Sequence, residues 1–186
     1  TDYWHTLTQN HPLTATALAL LALALVAWLA SQVTRGIILR AFKRLAARTP
    51  GQFDDALIEY KVPQRLAKIV PAAIIQFGVV LIPDLPEAVV IVVRNVGFAF
   101  TLLMAMLAMG GALNAVNTAY ERRHAQRQGT IKGFVQLLKL ALYVLGGVAI
   151  LAVLIDRSPL ILLSGMGAMA AVLMLVFQDT LLSMVA

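Results

Sequence analysis

The chain predicts an all-α membrane protein with five transmembrane helices, its N-terminus periplasmic and its C-terminus cytoplasmic. Three observations carry this. Hydrophobic residues make up 60% of the sequence and charged residues only 13%, against about 45–50% apolar and 25% charged in a soluble domain. Five stretches approach the roughly 20 apolar residues that a helix needs to cross a hydrocarbon core of about 30 Å. The basic residues alternate sides along the chain, as the positive-inside rule requires.

The first span covers 13–33, with Tyr3 and Trp4 upstream as interfacial anchors. No Ala-x-Ala cleavage site follows it, so it reads as a retained span rather than a signal peptide. The basic stretch from Ile37 to Leu45 continues this helix toward the headgroups, and Thr49-Pro50-Gly51-Gln52 ends it. Phe53 to Tyr60 reads as a short amphipathic helix on the membrane surface. The second span, 66–82, is the weakest, being short and carrying Pro71 near its start, a kink or an entry turn. The third covers 88–112, followed by a polar helical extension in the 113–132 connection. The fourth covers 134–155 and the fifth 160–177, continuing toward 186. The short Asp156-Arg157-Ser158-Pro159 link makes the last two an antiparallel hairpin, with Ser158 as cap and Pro159 at the first helical position. The chain thus divides into a part over 1–132, with loops at 34–65 and 113–132, and a hairpin over 133–186.

Orientation follows from charge. The connection between spans one and two, with the start of span two, holds Arg35, Arg40, Lys43, Arg44, Arg48, Lys61, Arg65 and Lys68. That between spans three and four, with the start of span four, holds Arg122, Arg123, Arg127, Lys132 and Lys139. Only Arg94 and Arg157 lie toward the other side. Were the second segment only re-entrant, the third would run the wrong way for this pattern. The net charge of +6 and the pI near 10.1 therefore reflect topology, not a nucleic-acid partner. Arg35, Arg40, Lys43, Arg44, Lys68 and Lys139 are candidate lipid contacts at the cytoplasmic face, Lys139 either binding lipid phosphate or snorkelling.

Other polar residues read as structure. Arg94 sits near the outer end of span three and snorkels to water. Gln76, Asn95, Asn114 and Asn117 read as inter-span hydrogen-bonding or interfacial groups, and Asp156 and Arg157 as solvating their turn. His5, His11 and His124 are too scattered for a metal site, and there is no cysteine. No phosphate loop, nucleophile motif or metal-ligand spacing is present, so neither an enzyme nor a cofactor is expected.

The fifth span is unusual. Its centre, Ser164-Gly165-Met166-Gly167-Ala168-Met169-Ala170-Ala171, is rich in small residues, which let helices approach closely inside lipid. Ser164, Ala168, Ala171, Leu175 and Gln178 share one helix face, and Met166, Met169, Leu173 and Phe177 a bulkier one. The first reads as a pore wall and the second as a lipid or inter-span surface. The plainer alternative is that both are packing surfaces of a static bundle. A ring of Leu175 side chains closes a pore by dewetting; Phe177 is the alternative constriction.

The run from Ser158 to Phe177, followed by Gln178 and Asp179, resembles the pore helix of the small-conductance mechanosensitive channel family, in particular its five-span miniconductance branch. The strong similarity covers about the last 50 residues, from Gly133 on; the earlier spans match only in number, order and direction. The resemblance implies a homo-heptamer in the bacterial inner membrane, whose last spans line one pore that opens under tension on hypoosmotic shock. It places Leu175 on the lower gate ring, Ala171 on the upper one, and Gly165, Gly167, Ala168 and Ala170 on positions that pack neighbouring pore helices. Met174 stands where the family has a packing glycine, and Asp179, the hinge candidate, where it has a hinge glycine. Chains of that family continue into cytoplasmic β and α/β domains, whereas this sequence stops at Ala186. Membrane lipids and further copies of the chain are thus the expected partners. Two other classes stay open: a secondary transporter, which predicts intramembrane charge pairs and broken helices in both halves, and a non-conducting membrane scaffold.

Overall fold

A computed structural model describes residues 12–48, 52–82, 85–123 and 131–185. Every element among them is helical: α1 (Pro12–Arg48), α2 (Gln52–Glu59), α3 (Val62–Ala67), α4 (Ile69–Gly78) with a 3-10 turn at Val79–Leu81, α5 (Glu87–Arg123), α6 (Lys132–Leu154) and α7 (Pro159–Val185). Five segments are long and apolar enough to cross a membrane: Thr16–Phe42, Val62–Leu81, Glu87–Arg122, Lys132–Leu154 and Pro159–Gln178.

Local chemistry sets the element ends. Pro12 opens α1, where its missing N–H costs nothing. The described part of α1 ends at Arg48, just before Thr49-Pro50 in the sequence. The second span begins at Val62, four residues before the expected start, because Pro63 sits harmlessly in the first turn of α3. Pro71 does interrupt this span. It has no N–H to donate to the Ala67 carbonyl, and the helix breaks at Lys68 into α3 and α4. Lys68 keeps helical dihedrals (φ −77°, ψ −14°), so the segment stays continuous in direction across a local defect.

α1 and α5 each run for 37 residues, about 55 Å at 1.5 Å per residue. Both outrun a hydrocarbon core, so the extensions expected from the basic and polar stretches are continuous with their spans. Short-range contacts give the packing order. Leu23 lies against Gly78, and Gln76 against Gly97. Further along, Arg65 and Val62 meet Gly111, Tyr143 meets Gly110, and Met106 meets Gly146. Residue numbers rise on one helix as they fall on its neighbour, so α1, α3–α4, α5 and α6 stand antiparallel in sequence order. One end of the bundle gathers Arg35, Lys61, Arg65, Arg122 and Lys139; the other gathers Arg94 and Arg157.

The core is built from small residues. Ala27, Ala56, Ala72, Ala99, Ala108, Ala115, Ala119 and Ala152 are buried, whereas most Leu, Ile and Phe side chains in the spans are exposed. This inverts the soluble pattern, and the solvent is the reason. Lipid is as apolar as leucine, so burying large side chains gains little, and close backbone approach is favoured. α5 is the hub, touching α2, α3, α4 and α6.

α2 packs one face within the chain. Its Ala56 is fully buried, and Tyr60, just past its end, bonds Thr118 on α5 at 2.9 Å. Its small face is covered by the extension of α5, to which the Arg122–Glu59 pair (3.3 Å) also ties it.

Candidate functional site

α7 is the element that the rest of the chain does not cover. None of its span window Pro159–Gln178 is buried, and from Leu160 to Gln178 only Leu162 is even half-buried. The expected pore face (Ser164, Ala168, Ala171, Leu175, Gln178) and the bulky face (Met166, Met169, Leu173, Phe177) are equally bare. Nothing in a single chain sets them apart.

Glycine environments sharpen this. A β-carbon added at Gly78, Gly97, Gly110, Gly111 or Gly146 falls within 3.2 Å of a neighbouring helix or its connection, so those glycines sit at crossings that exist inside the chain. At Gly165 and Gly167 it meets nothing within 4 Å, as also at Gly133 and Gly147. A glycine inside a helix costs about 1 kcal/mol relative to alanine. The two in α7 therefore weaken their helix without any compensating approach within the chain. Ala170, Ala171 and Met174 are exposed alongside them.

The helix is unbroken from Pro159 to Val185. The hinge candidate Asp179 thus lies within helical backbone; its side chain lies outside the described residues. Asp, unlike glycine, brings no added freedom of φ to that position. The Ser164 hydroxyl donates to the Ile161 carbonyl at 3.0 Å, turned back onto its own helix.

The turn before α7 is tight, as its sequence predicts, and is held in a way the sequence does not disclose. Arg157 N–H donates to the Ala152 carbonyl (2.9 Å) and Asp156 N–H to that of Val153 (3.1 Å), with Asp156 left-handed at φ 54°. This is a Schellman ending, at a position that usually takes glycine. The Asp156 carboxylate accepts from Asn95 Nδ2 at 3.2 Å, and Asn95 is buried on α5. Asp156 therefore does more than solvate its turn: it ties the base of the α6–α7 hairpin to α5. A cavity of about 290 Å³ lies beside this contact, lined by Gln76, Arg94, Asn95, Phe98, Val153, Asp156 and Arg157.

At the opposite end the expected lipid contacts divide. Arg35, Arg40 and Lys68 are exposed, and Arg40 Nε donates to the Gly36 carbonyl at 3.0 Å. The side chains of Lys43 and Arg44 lie outside the described residues. Lys139 is half-buried and engaged within the bundle: its Nζ donates to Asn114 Oδ1 at 3.1 Å and stands 5.7 Å from the Tyr143 ring centre. Asn114 offers an acceptor one helix away, so the ammonium has a partner on α5 within the chain. Arg65 is a second internal contact. Its guanidinium donates to the Leu107 carbonyl of α5, a carbonyl that helix geometry leaves with a spare lone pair. Sequence reasoning placed Arg65 only in the charge count. An arginine four residues into an apolar segment was the available signal.

Among the described residues no group of three or more His, Asp or Glu side chains gathers in a form that holds a metal ion. No protein-family model matches the chain, and no solved structure matches it.

Proposed function

We propose that this chain is the membrane part of a homo-oligomeric, tension-gated channel of the bacterial inner membrane. The observation that carries the reading is α7, a span of 20 residues with no part of it buried, whose glycines have no neighbour in their own chain. Such a helix suits a shared axis, where copies of itself supply the close approach that small residues permit. The resemblance of Ser158–Asp179 to a mechanosensitive pore helix supports the same reading and points to seven copies.

In this reading α7 lines the conduit, and Leu175 forms an oily ring that excludes water when the ring is narrow. Gly165, Gly167 and Ala170 pack adjacent α7 helices, and Ala168, Ala171 and Gln178 face the axis. Helices α1 to α5 form the lipid-facing part, joined to the pore hairpin by the packing of α6 on α5 and by the Asn95–Asp156 contact. Tension favours whichever state occupies more membrane area, so stretch shifts a closed–open equilibrium through that connection. The basic end of the bundle faces the cytoplasm, and the released solutes are ions and small molecules. No catalytic step is part of this function.

The test is patch recording under suction on membranes containing the full-length protein, together with the copy number and symmetry of purified particles. The expected result is a ring of identical subunits whose open probability rises with suction. Monomeric particles, or rings that pass no stretch-dependent current, would refute it.

A further inference from the structure

The basic end of the bundle contains a cavity of about 390 Å³ between α1 and the α3–α4 segment. Its polar lining is Ser31, Arg35, Lys61, Gln64, Arg65 and Lys68. Four of these six are cations, and no carboxylate lines it among the described residues. Glu59, two residues before Lys61, is paired with Arg122 at 3.3 Å and does not line the cavity. The side chains of Arg35, Lys61 and Lys68 form no hydrogen bond or ion pair with another described residue.

Converging like charges repel, so this arrangement costs stability unless an anion joins it. Two details show that it is built rather than a by-product of topology. Arg65 is half-buried, and its guanidinium is fixed by donation to the Leu107 carbonyl, which leaves further N–H groups for the cavity. Lys61 holds a left-handed backbone at φ 56°. It occupies the position after α2 where glycine is the ordinary choice, and a long side chain there carries a steric penalty. That penalty is borne by the residue that supplies the fourth cation of the lining.

The donor set identifies the ligand chemistry. Lys and Arg only donate, Ser31 and Gln64 add a hydroxyl and an amide, and a phosphate offers acceptor oxygens alone. The volume holds on the order of ten waters at about 30 Å³ each, ample for one phosphoryl group. We propose that this cavity binds a phosphate group, supplied either by an anionic phospholipid or by a soluble phosphate. Lys68 also lines the apolar groove formed with Pro71, Ala72, Ile75, Val96 and Phe100. A lipid whose phosphate sits in the cavity therefore has a path for its acyl chain; a free phosphate has no use for it. The site does not rest on the channel reading.

The test compares three forms of the full-length protein in non-ionic detergent. They are the wild type, the site variant Arg35→Gln/Lys61→Gln/Lys68→Gln, and a charge-matched control Arg94→Gln/Lys132→Gln/Arg157→Gln. Arg65 is left intact because it also holds α5. Two probes are applied: inorganic phosphate by titration calorimetry, and dioleoyl phosphatidic acid by native mass spectrometry, with phosphatidylcholine as the uncharged comparison. The expected result is one site per subunit for at least one probe, weakened at least tenfold in the site variant and within about twofold of wild type in the control. Heat from inorganic phosphate assigns a soluble ligand; a phosphatidic acid adduct alone assigns a lipid. Absence of both, or equal loss in both variants, overturns the proposal. If the site variant does not purify as a folded protein, Lys61→Gln alone, an exposed side chain, must weaken binding several-fold; unchanged binding overturns the proposal equally.

Discussion

Gly110→Ala should destabilise the protein, and the same change should stabilise it once Tyr143 is truncated. A β-carbon at Gly110 falls 2.3 Å from the Tyr143 hydroxyl, 2.9 Å from Cζ and 3.0 Å from Cε1. The tyrosine must withdraw by at least about 0.7 Å to restore even the closest contact that β-carbons make. It cannot swing away freely, because the Lys139 ammonium lies 5.7 Å from its ring and is itself bonded to Asn114. Overpacking of this kind costs about 1–3 kcal/mol. Replacing a mid-helix glycine by alanine returns about 1 kcal/mol, so the net loss in the wild-type background is up to about 2 kcal/mol. In a Tyr143→Ala background the clash is gone and only the helix term remains, so Gly110→Ala becomes favourable by about 1 kcal/mol. Tyr143→Ala is itself destabilising, which does not affect the comparison. The measurement is a double-mutant cycle on reversible unfolding in mixed micelles. A stabilising Gly110→Ala in both backgrounds would show that α5 and α6 do not cross closely here, and would refute the antiparallel packing argued from these glycines.

Further outcomes follow from the same structure. Asp156→Val loses the Asn95 acceptor and puts a β-branched residue at φ 54°, so thermal unfolding should show a loss of about 2 kcal/mol. Asp156→Asn keeps an acceptor and tolerates that backbone, so it should cost under about 1 kcal/mol. Leu175→Ser, by wetting the proposed ring, should lower the tension needed to open the channel in excised patches; an unchanged or higher threshold would remove Leu175 as the gate. These 186 residues contain no cysteine, so Ala171→Cys introduces a single thiol among them. Oxidation in membranes should then yield disulfide-linked dimers if α7 helices surround a common axis, and Phe77→Cys, exposed on α4, should give far fewer. Equal yields from both would count against the axis.

Much of the architecture was readable before any coordinates, because membrane insertion depends on sums over neighbouring residues. Span number and approximate bounds follow from runs of apolar side chains, and the break in the second span follows from Pro71, whose effect acts within four residues. The hairpin of α6 and α7 was equally legible from the four-residue link and Pro159. The division of polar groups was not. Lys139, read as binding lipid phosphate or snorkelling, is held by Asn114, 25 positions earlier. Asp156 is held by Asn95, 61 positions earlier, and Arg65 by the Leu107 carbonyl, 42 positions away. No periodicity encodes such pairs.

The sequence by itself therefore determined the helical class, the five apolar segments and the bias of positive charge toward one end, since hydropathy and charge act on each segment separately. The tertiary structure alone decided which alanines and glycines form crossings, that the four cations of the α1/α3–α4 cavity converge, and that α7 is left bare. The reason is physical. In lipid, association comes from shape and hydrogen bonding between particular surfaces rather than from apolar area, and shape matching is a property of two helices at once.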